Sequence, residues 1–126
     1  MKNNTGKKVL IVEDESAMLD ALHDAFCLSG IPALKAADGR VGLEVALTEH
    51  PDCILLDLLM PVMDGFAMLD ELRKDSWGKT AKVMVLTNFS TDEVRRRAYA
   101  QKILDFIVKA DFGIGEIIKR VKSVLV

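Results

Sequence analysis

A chain of 126 residues, half of them hydrophobic and 29% charged, has the balance of one ordinary globular domain and is too short for a second core. Its net charge of −2 gives no overall basic footprint, which argues against direct nucleic-acid binding, and no run of eighteen apolar residues is present to cross a membrane. The first seven residues, 1–7, are polar, contain Gly6 and lack the apolar stretch of a signal peptide. They read as a flexible tail ahead of a domain at 8–126, in a cytoplasmic protein with a native amino terminus.

The first apolar run, Val9–Val12, is a strand, and Met18, Ala21, Leu22, Ala25 and Phe26 then fall on one helical stripe that Gly30 ends. Ile31–Ala36 carries Pro32 and Lys35, which suit an edge strand. Asp38 opens a second helix, Cys53–Leu56 is a third strand and Asp64 opens a third helix. Val83–Leu86 is a fourth strand, after which Ser90 and Glu93 have capping-box spacing ahead of a helix bearing Arg95, Arg96 and Arg97. Leu104–Val108 is the fifth strand. Asp111 opens the last helix, whose stripe is Ile114, Ile117, Ile118, Val121, Val124 and Leu125, with Lys119, Arg120 and Lys122 towards solvent. Cys27 and Cys53 sit in apolar surroundings without C-x-x-C spacing and read as free buried thiols. His23 and His50 have no nucleophile or acid motif around them and read as surface residues.

Strand then helix, five times over, forces parallel pairing through right-handed crossovers. The fold class is α/β, a doubly wound five-stranded parallel sheet with helices on both faces and the flavodoxin-like order 2-1-3-4-5. Such sheets bind ligands beyond the carboxyl ends of the strands, where the order reverses. The residues following the apolar runs are Glu13 and Asp14, Asp57, Thr87 and Lys109. In the 2-1-3-4-5 order these ends are neighbours and form one acidic pocket. Three converging carboxylates without a cation repel one another, so the cluster calls for a bound metal and for the Lys109 ammonium. Oxygen-only ligands favour a hard cation, Mg²⁺, with Asp14 and Asp57 as direct ligands. A carboxylate beside two cations is placed to attack phosphorus, and the Thr87 hydroxyl is placed to donate to the phosphoryl group that results.

From about Lys8 to Leu125 the chain strongly resembles the response-regulator receiver family. The residues that carry the resemblance are Val9-Leu10-Ile11-Val12-Glu13-Asp14-Glu15, Asp57-Leu58-Leu59-Met60-Pro61-Val62-Met63-Asp64-Gly65, Thr87 and Lys109. The resemblance implies that Asp57 accepts phosphate from a sensor histidine kinase or a histidine phosphotransfer protein. It further implies that Asp14 and Asp57 bind Mg²⁺ directly, Glu13 through a water, and that the backbone carbonyl of Leu59 is a ligand. Thr87 then swings inward and the aromatic Phe106 turns in behind it. The implied output face is the fourth helix, fifth strand and fifth helix, where Arg95–Arg97 and Lys119 meet an acidic downstream partner of unknown identity. The protein is expected to be a monomer or a phosphorylation-linked dimer.

The chain departs from the family pattern at Ala110, where proline after a cis bond is usual. A cis bond before alanine costs about 3 kcal/mol, so a trans peptide is expected. Asn88 is larger than the family's usual residue after the threonine, and with bulky Leu59 and Phe89 over the acceptor the phosphoryl group is expected to be long-lived. Asp64 alone reads as a helix cap, Phe106 fits core packing as well as a switching role, and Arg95–Arg97 fit a solvated face as well as a docking site. Three rival functions remain. A haloacid-dehalogenase-like phosphatase needs a second aspartate two residues after the first, where Leu59 stands. A flavin- or nucleotide-binding protein needs a glycine-rich loop after the first strand. A phosphorylation-independent interaction scaffold is expected to lack some of the five site residues. The reading is therefore a signalling module and not an enzyme acting on an external substrate.

Overall fold

A computed structural model of the chain, in which residues 6–126 are described, arranges the apolar runs as five parallel strands in the order β2-β1-β3-β4-β5. These are β1 (Val9–Val12), β2 (Ala33–Ala36), β3 (Cys53–Leu56), β4 (Val83–Thr87) and β5 (Asp105–Val108). Each is followed by a helix: α1 (Ser16–Leu28), α2 (Gly39–Glu49), α3 (Gly65–Lys74), α4 (Asp92–Ala100) and α5 (Ile114–Leu125). Short 3₁₀ turns occupy Gly78–Thr80 and Lys109–Asp111. The expected doubly wound order is the observed one. Of the expected tail, residues 1–5 lie outside the described residues.

The central strands are unbroken apolar runs because both faces of the sheet are covered. Successive strand residues point to opposite faces. Leu10, Val12, Ile54, Leu56, Val83 and Val85 therefore pack with α3 and α4 through Phe66, Leu69, Leu72, Val94 and Ala98. Val9, Ile11, Leu55, Met84 and Leu86 pack instead with Leu22 and Phe26 of α1 and with Ile117 and Val121 of α5. Phe26 is wholly buried, and truncating such a side chain costs about 3–5 kcal/mol. Leu19, absent from the expected stripe of α1, is buried in this second layer, whereas Met18 and Ala25 sit at its margin.

Several boundaries differ from the sequence expectation. β2 starts at Ala33 rather than Ile31 because the Ile31 N–H is taken by Phe26 O at 2.9 Å in the turn at Gly30, whose φ is +80°. Pro32 has no N–H to donate, and its carbonyl accepts from Val9 N at 3.0 Å just ahead of the ladder. β4 gains Thr87, paired with Val108, and β5 starts at Asp105, leaving the Leu104 side chain 48% exposed. Asp38 and Asp64 cap α2 and α3 as expected, each accepting at 2.9 Å, from Val41 N and Ala67 N. The α4 cap is Thr91, whose hydroxyl accepts from Val94 N at 3.2 Å, so Ser90 and Glu93 are one residue out of register for a capping box. Gly113 caps α5, because Asp111 is already committed to the 3₁₀ turn.

Cys53, the first residue of β3, is buried, but Cys27 is exposed because it follows Phe26 on the outer side of α1. His23 and His50 lie at the surface, His50 stacked on Trp77 with ring centroids 4.3 Å apart. The α4 arginines are not a uniformly solvated cluster: the Arg95 guanidinium lies 4.8 Å from the Phe106 ring and that of Arg97 lies 3.9 Å from the Phe66 ring. Arg73 turns inward and donates to four carbonyls, those of Gln101, Gly78, Ala81 and Lys102, tying α3 to the turn before β4 and the turn before β5. Among the described residues no helix is long and apolar enough to cross a membrane.

Candidate functional site

The strand order reverses between β1 and β3, and in sheets of this kind ligands bind beyond the carboxyl ends at such a switch point. Glu13 and Asp14 leave β1 there, and Asp57 leaves β3, its N–H donating to Val12 O at 3.0 Å as one more rung of the β1–β3 ladder. One carboxylate oxygen from each of Glu13, Asp14 and Asp57 lies within 4.8 Å of the others. Lys109, the first residue beyond β5, reaches over from two strands away. Its Nζ donates to Asp57 Oδ2 at 2.9 Å and lies 2.8 Å from Glu13 Oε1. The Glu13 contact is an ion pair without hydrogen-bond alignment, so buried Oε1 has no aligned donor among the described residues, while Oε2 accepts from Glu15 N at 3.0 Å.

Burial governs the electrostatics. It pushes the Glu13 carboxyl above its usual range, and the Lys109 ammonium and the Glu15 N–H offset this only in part. Burial also works to lower Lys109, but its contacts with Glu13 and Asp57 outweigh that and hold the ammonium above its ordinary value. One lysine thus serves two buried carboxylates, and exposed Asp14 completes the cluster without a cationic partner among the described residues. An all-oxygen group with a surplus of negative charge is a donor set for a hard divalent cation.

The loop after β3 is fixed from below. The Leu59 N–H donates to Asp57 Oδ1 at 3.3 Å, and the Gly65 N–H donates to Leu58 O at 3.0 Å. Gly65 lies so close that a Cβ there would be 2.5 Å from Asp57 O. Met63 N donates to Pro61 O at 2.8 Å around Val62, whose φ is +69°. Thr87 is fully buried at the end of β4, and its hydroxyl oxygen accepts from Phe89 N at 3.2 Å. Phe106 is buried in the layer under α4, its ring beneath Arg95. The structure thus gathers Glu13, Asp14, Asp57 and Lys109 into direct proximity and sets Thr87 and Phe106 on the adjoining strands, with no hydrogen bond between Thr87 and Asp57.

Two features escaped the sequence reading. The sequence calls for Lys109 beside the acid cluster as a whole, but not for its division, in which Glu13 shares Lys109 with Asp57. Asn88 stands out in the sequence only as larger than the family's usual residue, whereas its Oδ1 accepts from Ala110 N at 2.9 Å. The peptide before Ala110 is trans, as expected, and no cis bond occurs among the described residues.

A doubly wound parallel sheet with acids and a lysine gathered at its switch point is a flavodoxin-like α/β ligand site. The family model of the response regulator receiver domain matches residues 9–122, and the chain belongs to that family. It is 35% identical over 121 residues to the transcriptional regulatory protein PrrA of Mycobacterium tuberculosis, covering 96% of this chain and 51% of that protein. It is 29% identical over 118 residues to the DNA-binding transcriptional regulator RpaA of Synechocystis, covering 94% and 48%. The chain spans about half the length of these curated relatives. Among solved structures, the chemotaxis protein CheY4 of Vibrio cholerae superposes with a TM-score of 0.86 at 29% identity, covering 94% of this chain and 98% of that one. The receiver domain of the sensor histidine kinase PA1611 of Pseudomonas aeruginosa, solved with magnesium in its active-site cleft, shares the fold at a TM-score of 0.84 and 23% identity, over 95% and 98% of the two chains.

Proposed function

We propose that this receiver domain is a phosphoacceptor switch of a two-component phosphorelay. It takes a phosphoryl group on Asp57 from a sensor histidine kinase or histidine phosphotransfer protein and signals to a downstream protein through α4, β5 and α5. The observation that carries this reading is a buried Asp57 held 2.9 Å from Lys109 Nζ inside the cluster with Glu13 and Asp14.

The donor set fits Mg²⁺: Asp14 and Asp57 would hold it directly, with the Leu59 backbone carbonyl, and Glu13 from its outer sphere. When bound, the ion offsets charge on the transferring phosphoryl oxygens. Asp57 Oδ2 is engaged by Lys109, whereas Oδ1 receives only the long hydrogen bond from Leu59. One oxygen of the Asp57 carboxylate is the nucleophile. It bonds to phosphorus as the bond from phosphorus to the donor's imidazole nitrogen breaks, and that nitrogen keeps the electron pair. Positioning and charge neutralisation are most of what such a transfer requires. Lys109 supplies the fixed positive charge. The Thr87 hydroxyl accepts from Phe89 N–H and keeps its own proton to donate to a phosphoryl oxygen.

New charge on Asp57 draws Thr87 and Lys109 inward, and Phe106, packed under Arg95 between β5 and α4, is the element that reports the change to the output face. The module turns over no external substrate and assists only its own phosphorylation and dephosphorylation. Leu59 stands two residues after the acceptor and Phe89 two after Thr87, and in this reading their bulk slows the approach of water, so the phosphoryl group is long-lived.

Intact mass after incubation with acetyl phosphate and Mg²⁺ tests the reading. A single phosphoryl adduct, absent from Asp57→Asn, is expected. Wild-type protein that stays unmodified would leave the scaffold reading, and continuous phosphate release from a generic ester would favour a phosphatase.

A further inference from the structure

Lys109 has to span from the end of β5 to two carboxylates, and its reach is only as well defined as the backbone that carries it. That backbone has just left the sheet and entered a single 3₁₀ turn, Lys109–Asp111. Alanine at position 110 restricts φ far less than a proline there would, so local stiffness must come from outside the turn. The described structure supplies one contact of the right kind. Asn88 Oδ1 accepts from Ala110 N at 2.9 Å, across 22 residues of sequence.

The location of this bond is specific. Thr87 and Val108 form the last pair of the β4–β5 register, and the next residue on the β4 side is Asn88. Its side chain extends the ladder by one rung after the backbones have parted. The turn presenting it is itself held, because Phe89 N donates to Thr87 Oγ1 at 3.2 Å. The donor nitrogen belongs to the peptide unit formed with the Lys109 carbonyl, so the bond restrains rotation about the Lys109 Cα–C bond.

We propose that Asn88 is a positioning residue for the acceptor site: its side-chain carbonyl fixes the Lys109–Ala110 peptide and so holds Lys109 Nζ between Asp57 Oδ2 and Glu13 Oε1. This rests on the reading of Asp57 as the phosphoacceptor. Asn88 touches neither carboxylate. It acts through Lys109, and it links the loop after β4, next to Thr87, with the loop after β5.

The test is a double-mutant cycle of Asn88→Ala and Ala110→Pro, since proline removes the N–H that Asn88 accepts. Two readouts are taken: amide exchange at Ala110 in the metal-free protein, and the rate of phosphoryl adduct formation from acetyl phosphate with Mg²⁺. Asn88→Ala is expected to speed Ala110 exchange about tenfold and to slow adduct formation about tenfold, part of the roughly hundredfold loss that a full ångström of misplacement brings. Its urea midpoint is expected to match wild type. In the Ala110→Pro background the same substitution is expected to change the adduct rate less than twofold. Equal or faster adduct formation by Asn88→Ala would overturn the inference, because a residue acting only as bulk would be relieved by truncation. Equal losses in both backgrounds would overturn it too. Failure of the wild type to form an adduct would instead strike at the acceptor reading, and unchanged Ala110 exchange would then reject the positioning role separately.

Discussion

Gly65→Ala should damage both stability and acceptor chemistry, out of proportion to the single methyl it adds. Gly65 is the first residue of α3, and an added Cβ would lie 2.5 Å from the carbonyl oxygen of Asp57, 2.7 Å from Leu58 Cα and 3.0 Å from Leu58 Cδ2. Ordinary contacts are about 3.5–4.0 Å, so the backbone contacts are short by about an ångström, and backbone cannot rotate away as a side-chain tip can. Overpacking of this kind costs about 1–3 kcal/mol, and the upper end applies because the obstructing atoms are main chain. Alanine returns up to about 1 kcal/mol of helix propensity, leaving a net loss of about 2 kcal/mol, or about 6–10 °C in Tm for a domain of this size. The displaced group is the peptide of Asp57, the proposed acceptor, so adduct formation from acetyl phosphate should slow by up to about a hundredfold. Gly115→Ala is the control, because nothing lies within 4 Å of a Cβ there and the change should be neutral or mildly stabilising. Urea unfolding and adduct mass measured on both variants decide the matter. A Gly65→Ala protein within about 0.5 kcal/mol of wild type, or one no worse than Gly115→Ala, would refute the steric argument.

Further outcomes are expected. Burial raises the Glu13 carboxyl above its ordinary 4.5, so the folded state holds that proton more tightly than the unfolded chain. The corresponding stability is present below pH 4.5 and is lost as pH rises through the folded value. In chelated buffer, wild type should therefore gain on Glu13→Gln as pH falls from 7 to 4, and parallel pH profiles of the urea midpoint would contradict this. Lys109, raised above 10.5, should contribute no pH dependence in that window, because its stabilisation is lost only in strong alkali. Arg73→Ala strands the carbonyls of Gly78, Ala81, Gln101 and Lys102 and should cost about 3 kcal/mol in urea unfolding, with Arg73→Lys recovering less than half because one ammonium cannot span four acceptors. Val62 holds a φ of +69° while 74% exposed, so Val62→Asn should raise stability by about 1 kcal/mol by relieving strain that a β-branched residue tolerates poorly. A thiol reagent should add once to the folded protein, at exposed Cys27, because burial pushes the Cys53 thiol up to about 12. Two adducts before unfolding, seen by intact mass, would contradict the depth assigned to β3.

The parts of the molecule legible in the sequence are those whose position follows from a local rule. An apolar run of four set between polar or turn residues fits a strand covered on both faces, and alternation of such runs with helical stripes leaves few topologies. Glu13, Asp14, Asp57, Thr87 and Lys109 were conspicuous because each breaks an apolar run at its carboxyl end. Pairings between those ends were less legible. Lys109 divides itself between Glu13 and Asp57, which depends on the offset of β5 from β1 and on the length of a glutamate side chain, neither of which any spacing encodes. Arg95 and Arg97 fall on the outer side of α4 by periodicity, yet long apolar stems let both heads fold back over Phe106 and Phe66. Thr91 rather than Ser90 caps α4, a shift of one residue that puts Val94 and not Glu93 at the third helical position. Asn88 and Ala110 each depart from the family pattern, in loops 22 residues apart, and neither departure alone predicts the bond that joins them. A substitution that departs from pattern at one strand end is therefore best read against departures at the neighbouring strand end, since in a parallel sheet the two loops meet whatever their separation along the chain.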